Sequence, residues 1–406
     1  MFLFEINVPR WPRSAQRCTN WMPITRAAAS MSVMRAVQVN KFGGPQVLQE
    51  CNVPIPKVTP GKVLVRVKAA GVNPIDTYIR EGTFPVSFQL PYTPGKDGAG
   101  LVEEVGQGDT SLKKGDRVFF CNNDASNVHG SYAQYSLLKA TDVWPLPEKI
   151  SFQQGACLGV PYLTAYRALV LKAKVTADKF VLVHGASGAV GTAAVQIAKH
   201  FKAKVAGTAG TPAGMDVVKQ AGADLVVCHR DKDYLKSVMK WTNDRGVDII
   251  LEMLANVNLP EDFNTIGQNG LILVIGSRGE VKVNPRCLMG KESAVMGIAV
   301  TTATPEEWQA MAENVARGAK GRLDSSQSMD RVYPAGEGAK GPPHPRPSSI
   351  SKGGQKGNVT ARPRTRWNTR PHMGRRKIFF AVPRFVNKLY GASEKKKKKK
   401  KKGRPA

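Results

Sequence analysis

The chain has 406 residues, enough for two domains and further segments, with 42% hydrophobic residues and a formal net charge of +29. Such a charge points to a nucleic-acid binder, but its distribution does not: residues 335–406 hold 22 of the 60 Lys and Arg residues against 2 acids, and 1–33 hold 4 Arg against 1 Glu, leaving 34–334 a mildly basic globular body. The six cysteines, Cys18, Cys51, Cys121, Cys157, Cys228 and Cys287, form no CxxC pair, which argues against a disulfide framework or a structural zinc lobe. No apolar run approaches the roughly 20 residues of a membrane span.

Residues 34–140 read as β-rich. MRAVQVN, KVLVRVKAAGV, GAGLVEEVG and DRVFF are short β-branched runs between Gly, Pro and Asp turns, and KKGDRV reads as a tight turn feeding a strand. Residues 160–173, VPYLTAYRALVLKA, space Leu163, Tyr166, Ala168 and Leu169 as a helix. From Lys179 the texture becomes strand–helix alternation: FVLVH, then AVGTAAVQIAKHF, AKVAGTA, MDVVKQAGA, DLVVC, DYLKSVMKW and VDIILEML. FNTIGQNG leads into the strand LILVIGS, and 305–318, PEEWQAMAENVARG, reads as a further helix. Strands separated by helices of this length predict βαβ units and a parallel sheet.

Within this alternation, HGASGAVGTAAVQIAK places Gly185, Gly188 and Gly191 three apart, after an apolar strand and before a helix. A glycine turn opening a helix presents unpaired backbone N–H groups and the positive end of the helix dipole, which together stabilise a pyrophosphate. The third glycine lets helix and strand pack closely. The spacing is GxxGxxG rather than GxGxxG, so the context carries the reading. NAD-preferring sites place an acid at the end of the second strand; AKVAGTAGT has none, which favours NADPH, with Lys204 and Arg230 as candidate cations for its 2′-phosphate.

MRAVQVNKFGGPQVL, AAGVNPIDTYIREG, LPYTPGKDGAGLVEEVG, LKKGDRVF, VPYLTAYRAL, HGASGAVG and EMLANVNL, in order over about 34–317, resemble the ζ-crystallin-like NADPH quinone oxidoreductases, a zinc-independent branch of the medium-chain dehydrogenase/reductase superfamily. The resemblance implies an α/β fold: a Rossmann-type doubly wound parallel sheet over 161–303, a GroES-like β-rich substrate domain over 34–160, and a partial return to it over 304–334. It implies Tyr78 near the nicotinamide, with Ser187, Gly188, Ala189 and Val190 at the pyrophosphate between Gly185 and Gly191. Gly210 and His229 fall at the adenosine end, and Asn258, Ile275, Gly276, Ser277, Arg278, Ile298, Ala299 and Val300 complete the groove. Aligned by motif with the zinc enzymes of the superfamily, the chain has Asn73, then Gly95, Lys96 and Asp97, and no thiol in PYLTAY, so a metal-free site is expected.

The implied reaction is reduction of quinones, ortho-quinones above all, by NADPH; one-electron transfer is implied by the resemblance and two-electron hydride transfer competes. No general acid stands out, and Asn73, Tyr78 and Tyr162 are candidates for steadying a quinone oxygen. The alternatives are an enoyl or enone reductase of the same superfamily and an AU-rich RNA-binding protein. The resemblance also suggests a dimer or tetramer, with LILVIG as a possible paired sheet edge.

The ends depart from this pattern. Past RVYP the family continues with an amphipathic helix and an apolar strand, whereas AGEGAKGPPHPRPSSISKGGQKGNV is Gly/Pro-rich, without period, and leads to eight consecutive lysines. That run fits translation of an adenine-rich message end, so 335–406 is expected to be a disordered polycation from an altered reading frame. Residues 1–33 are expected to be a disordered extension: four arginines suggest a mitochondrial presequence, but Pro9, Pro12 and Pro23 interrupt any helix, and MSVMRAV resembles the family's usual start, favouring Met31 or Met34 as initiator and a cytosolic protein.

Overall fold

The alternation from Lys179 onward folds into a six-stranded sheet in the order Leu225–Cys228, Lys204–Ala209, Phe180–Val183, Val247–Glu252, Ile266–Val274, Ala294–Gly297. Every pairing in it is parallel. The computed structural model describes residues 32–85 and 88–321, with the backbone of three four-residue strands, Phe2–Glu5, Arg331–Pro334 and Phe379–Val382. The remainder of the N-terminal extension and of the basic tail, including the lysine run, lies outside the described residues.

The chain runs outward from Phe180–Val183 on one side, then returns to add strands on the other. The order reverses between Phe180–Val183 and Val247–Glu252, and doubly wound sheets bind ligands beyond the strand ends at such a reversal. Val181, Leu182, Val183, Ile250 and Leu251 are wholly buried, as strands covered on both faces require.

The first half is an antiparallel sheet of Lys62–Gly71, Asp97–Val105, Arg117–Cys121 and Val143–Pro145, with Tyr135–Lys139 also paired to Lys62–Gly71. A hairpin of Val33–Val39 and Leu48–Pro54 lies beside it. Phe379–Val382, which the sequence reading did not anticipate, pairs in parallel with Ala69–Gly71, and Phe2–Glu5 lies between it and Arg331–Pro334.

One apolar core joins the halves. Phe119 and Trp144 from the antiparallel sheet, Tyr162 and Leu163 from the helix Val160–Tyr166, and Val181, Val183 and Leu251 from the parallel sheet belong to it. The helix Pro305–Lys320 adds Trp308, Met311 and Val315, its ring of Trp308 lying 6.0 Å from that of Trp144. The helix starting at Val160 continues as π-type turns over Arg167–Lys172.

Three features differ from the sequence reading. LILVIG is not a sheet edge: Ala294–Gly297 pairs outside it and takes the edge position. A helix, Ala255–Thr265, precedes the strand Ile266–Val274, and Pro260 with its missing N–H hides that helix from a pattern search. A helix Pro74–Glu81 interrupts the β-rich half, capped by Asn73 and closed by Gly82 in the left-handed region. The five cysteines among the described residues are free thiols. No described helix is long and apolar enough to cross a membrane.

Candidate active site

The strand Phe180–Val183 ends at His184, and Gly185 turns the chain with φ +57°, a conformation that favours glycine. Gly188 caps the helix Ala189–His200 with extended backbone, so Ala189, Val190 and Gly191 form the first turn, whose N–H groups lack intrahelical partners. A Cβ on Gly191 would lie 2.5 Å from the Gly185 carbonyl oxygen and 2.6 Å from Ala186 Cα, both backbone atoms that cannot step aside. The third glycine therefore serves packing, and it is what lets the helix start so close to the strand end.

At the end of the neighbouring strand Lys204–Ala209, Gly210 lies against His229 and Arg230: a Cβ placed on it would meet His229 Nε2 at 2.5 Å and Arg230 Nε at 3.3 Å. Thr208 links this end to the turn by accepting from the Gly185 N–H at 3.0 Å, with His229 Nδ1 3.5 Å from the same hydroxyl. Ser187 approaches Gly214 in the first turn of Pro212–Gln220, whose cap Thr211 accepts from the Gly214 N–H at 3.1 Å. Of the two cations considered for a 2′-phosphate, only Arg230 is here. Lys204 opens its strand at the opposite end of the sheet and sits 4.9 Å from the Phe180 ring centroid.

The remaining expected groove residues follow the C-terminal ends of the other strands. Ile275 and Gly276 donate to the Glu252 carbonyl at 2.8 and 3.2 Å, and the Arg278 N–H donates to Asn256 Oδ1 at 2.9 Å. The Ser277 hydroxyl donates to the Gly279 carbonyl at 3.0 Å. Ile298 donates to the Val274 carbonyl at 2.8 Å, and Val300 begins a short 3-10 turn. Arg167 fixes that segment: it donates to the Ala299 carbonyl and to Thr302 Oγ1 at 2.8 Å, and pairs with Glu307 at 2.8 Å.

Beneath the turn lies a buried ionisable cluster that the sequence reading missed. His184 Nε2 is 2.8 Å from Asp262 Oδ1 and 3.7 Å from Glu252 Oε2, and both carboxylates are fully buried. Burial alone would lower the His184 pKa, but the hydrogen bond and charge of Asp262 and the charge of Glu252 outweigh it and hold it above the ordinary value. Burial pushes Glu252 up to about 7 against the attraction of His184. Glu252 Oε1 accepts from the Leu254 N–H and from Asn258 Nδ2, the latter at 3.1 Å, so Asn258 is held by this cluster. The available signal was a charged residue closing the apolar run VDIILE and a histidine directly before the glycines.

In the antiparallel half, Asn73 is buried, and its Nδ2 donates to Asp97 Oδ2 at 2.8 Å. The Val160 N–H donates to the same carboxylate at 2.9 Å, which ties the helix Val160–Tyr166 to the substrate domain. Burial pushes Asp97 up to about 7 and Asp76 up to about 6, the latter accepting from the Asn73 N–H, the Lys96 N–H and the Tyr132 hydroxyl. Tyr78 is half-buried on Pro74–Glu81. Tyr162 is wholly buried in the shared core, and its hydroxyl donates to Gln196 Oε1 at 2.7 Å.

Residues 59–148 match the alcohol dehydrogenase GroES-like domain, and 189–317 match a family described as zinc-binding dehydrogenase. The chain is 48% identical over 294 residues to the quinone oxidoreductase of Homo sapiens, covering 72% of this chain and 88% of that one. It is 32% identical to quinone oxidoreductase 1 of Escherichia coli (strain K12), over 59% of this chain and 72% of the relative. The solved structure of Escherichia coli quinone oxidoreductase complexed with NADPH superposes with a TM-score of 0.62 at 30% identity, over 72% of this chain and 90% of that one. The glycine turn at the strand reversal, the shared core between the two sheets and these likenesses agree: the chain belongs to the ζ-crystallin-like quinone oxidoreductase family of the medium-chain dehydrogenase/reductase superfamily.

Proposed function

We infer that the protein reduces quinones with NADPH at the groove between the two sheets. The observation that carries this reading is the convergence of the Gly185–Gly191 turn with Gly210, His229 and Arg230, with no acid at the end of Lys204–Ala209. The helix start would take the pyrophosphate, and Arg230 would take the 2′-phosphate through charge-assisted hydrogen bonds. NADPH when bound supplies the electrons, and the protein supplies orientation and electrostatics.

The residues do not fit a catalytic zinc ion, although one matched family is described as zinc-binding. Asn73 and the run Gly95, Lys96 and Asp97 stand at the positions that motif alignment assigns to the metal ligands, PYLTAY offers no thiol, and an amide and an ammonium make no ligand set. The Asp97 carboxylate is already occupied by the Asn73 amide and the Val160 N–H. Among the described residues, the one grouping of metal-ligand type is His184, Glu252 and Asp262, which is buried and internally charge-paired. Oxidation of NADPH by 1,2-naphthoquinone in the presence of 1,10-phenanthroline tests the reading: undiminished turnover supports it, and chelator-sensitive turnover restored by zinc overturns the metal-free site.

The finer reading is one-electron delivery to ortho-quinones, which an organic radical signal in electron paramagnetic resonance during turnover would support. A homo-oligomer is proposed through the edge strand Ala294–Gly297, which exposes Val295 and Met296 beside an unpaired row of backbone groups. Met296→Lys is expected to shift the sedimentation coefficient toward the monomer.

A further inference from the structure

His184 directly follows Phe180–Val183 and Glu252 closes Val247–Glu252, the two neighbouring strands at the reversal of the parallel sheet. The His184 N–H donates to the Leu251 carbonyl at 3.0 Å, which holds the two strand ends in register. Side chains alternate across a strand, and Leu182 and Ile250 pack with Val238 and Phe263. His184 and Glu252 therefore face the helices Tyr234–Trp241 and Ala255–Thr265. There Asp262 completes a sealed cluster, with both carboxylates wholly buried and His184 2% exposed.

This cluster is short of a proton donor. Asp262 Oδ1 lies 2.8 Å from His184 Nε2, but among the described residues Glu252 Oε2 and Asp262 Oδ2 are buried with no hydrogen-bond partner. Ionised carboxylates only accept, so a proton on Glu252 supplies the missing donor and cancels the excess negative charge. Burial pushes Glu252 up to about 7, which puts exchange of that proton in the neutral range. The other groups facing the cluster do not titrate there. Tyr234, from Tyr234–Trp241, lies edge-on to His184 with ring centroids 6.4 Å apart, and burial pushes its phenol up to about 12. Glu261, beside Asp262, is exposed and accepts from Asn264 Nδ2 at 3.4 Å. Ala206 and Ile272, from the flanking strands, are uncharged.

The same residues hold the cofactor groove. His184 is bonded to Gly185, the first glycine of the turn. Glu252 Oε1 accepts from the Leu254 N–H and from Asn258 Nδ2, the latter at 3.1 Å. The Glu252 carbonyl accepts from Ile275 and Gly276, and the Gly276 carbonyl accepts from the Ala255 N–H at 2.9 Å. We propose that Glu252 is a proton-linked positioning residue: it takes up a proton from solvent when the anionic dinucleotide binds, and its ionised form weakens that binding. The proposal rests on the NADPH reading above. With Glu252 protonated, His184 and Asp262 balance each other and the cluster is neutral. With Glu252 ionised, an unbalanced negative charge stands behind the turn that would receive the pyrophosphate, and like charges repel strongly across a low-dielectric interior. The effect is reciprocal: if ionisation weakens NADPH binding, NADPH binding draws a proton onto Glu252. The free protein thus loses this proton as pH rises through about 7, and the loaded protein keeps it to higher pH.

The test has two arms on the full chain. In the first, the NADPH Kd is read by fluorescence quenching at pH 6.5 and 8.5 for wild type and Glu252→Gln. The amide keeps an acceptor for Leu254 and Asn258 and cannot ionise, so the variant stands for the protonated state. The ratio of wild-type to variant Kd is expected to rise about 5–20-fold between the two pH values. Taking the ratio cancels titration of NADPH itself and of His229. A ratio constant within twofold overturns the proposal. In the second arm, infrared difference spectra compare wild type with and without NADPH at pH 7.5. A protonated-carboxyl band that grows on binding, shifts on isotopic labelling of glutamate and is absent from Glu252→Gln supports the proposal. Spectra without such a band overturn it, and the wild-type spectra alone are decisive if Glu252→Gln fails to fold. Wild type that binds no NADPH at either pH refutes the cofactor reading and the coupling with it, whereas binding with a constant ratio overturns the coupling alone.

Discussion

His184 Nε2 lies 2.8 Å from Asp262 Oδ1, directly behind the glycine turn, and Glu252 stands 3.7 Å from the same nitrogen. The folded pKa of His184 is raised, so its stabilisation is complete below its ordinary value and is lost as pH rises through the folded one. Glu252 and Asp97 are raised to about 7 and Asp76 to about 6, so the native state holds more protons than the unfolded chain from about pH 4 to 7. All four groups act in the same direction, and stability falls as pH rises through that window. Asp124, lowered to about 2, acts oppositely and only in acid. The melting temperature is therefore expected to be higher near pH 5.5 than near pH 8, with a smaller difference in Glu252→Gln. Scanning calorimetry across this range checks it; a melting temperature that rises from pH 5.5 to 8 contradicts it.

Gly191→Ala forces a methyl group to within 2.5 Å of the Gly185 carbonyl oxygen. Overpacking of this kind costs about 1–3 kcal/mol, and here it displaces the turn that would receive the pyrophosphate. Urea denaturation should show that loss, and NADPH titration should show affinity lowered by more than about tenfold.

Arg230→Gln removes the guanidinium beside Gly210 and His229. A hydrogen bond to a charged group contributes about 1.5–3 kcal/mol, so the NADPH Kd should rise about 10–100-fold while NADH binding is unchanged. Lys204→Gln, at the far end of the sheet, should leave both affinities as they are. Parallel fluorescence titrations of the two cofactors separate these outcomes.

Trp308 is 5% exposed and meets Trp144, which joins Pro305–Lys320 to the antiparallel half. Trp308→Ala should cost about 3–5 kcal/mol of unfolding free energy, measured by urea denaturation, because neighbours from three elements cannot collapse into the space.

Much of this arrangement was legible in the sequence because it rests on short-range pattern. Phe180–Val183, Ala189–His200 and Lys204–Ala209 announce themselves by apolar runs and helical spacing, and the glycines mark the turn between them. Ala255–Thr265 was hidden because Pro260 and three asparagines give it a poor helical signature, although Phe263 and Asp262 anchor it in the core. Ala294–Gly297 was missed because four exposed residues at a sheet edge have no burial pattern. The His184 cluster joins residues up to 78 positions apart, so it is not visible before the chain is folded.

The account stands most directly on cofactor choice in quinone reduction. The decisive measurement is the rate of 1,2-naphthoquinone-dependent oxidation of NADPH and of NADH by the full chain. A kcat/KM for NADPH at least tenfold above that for NADH is predicted from Arg230 and the absence of an acid beside Gly210. Equal or faster oxidation of NADH, or no quinone-dependent oxidation of either by protein that binds NADPH, would contradict it.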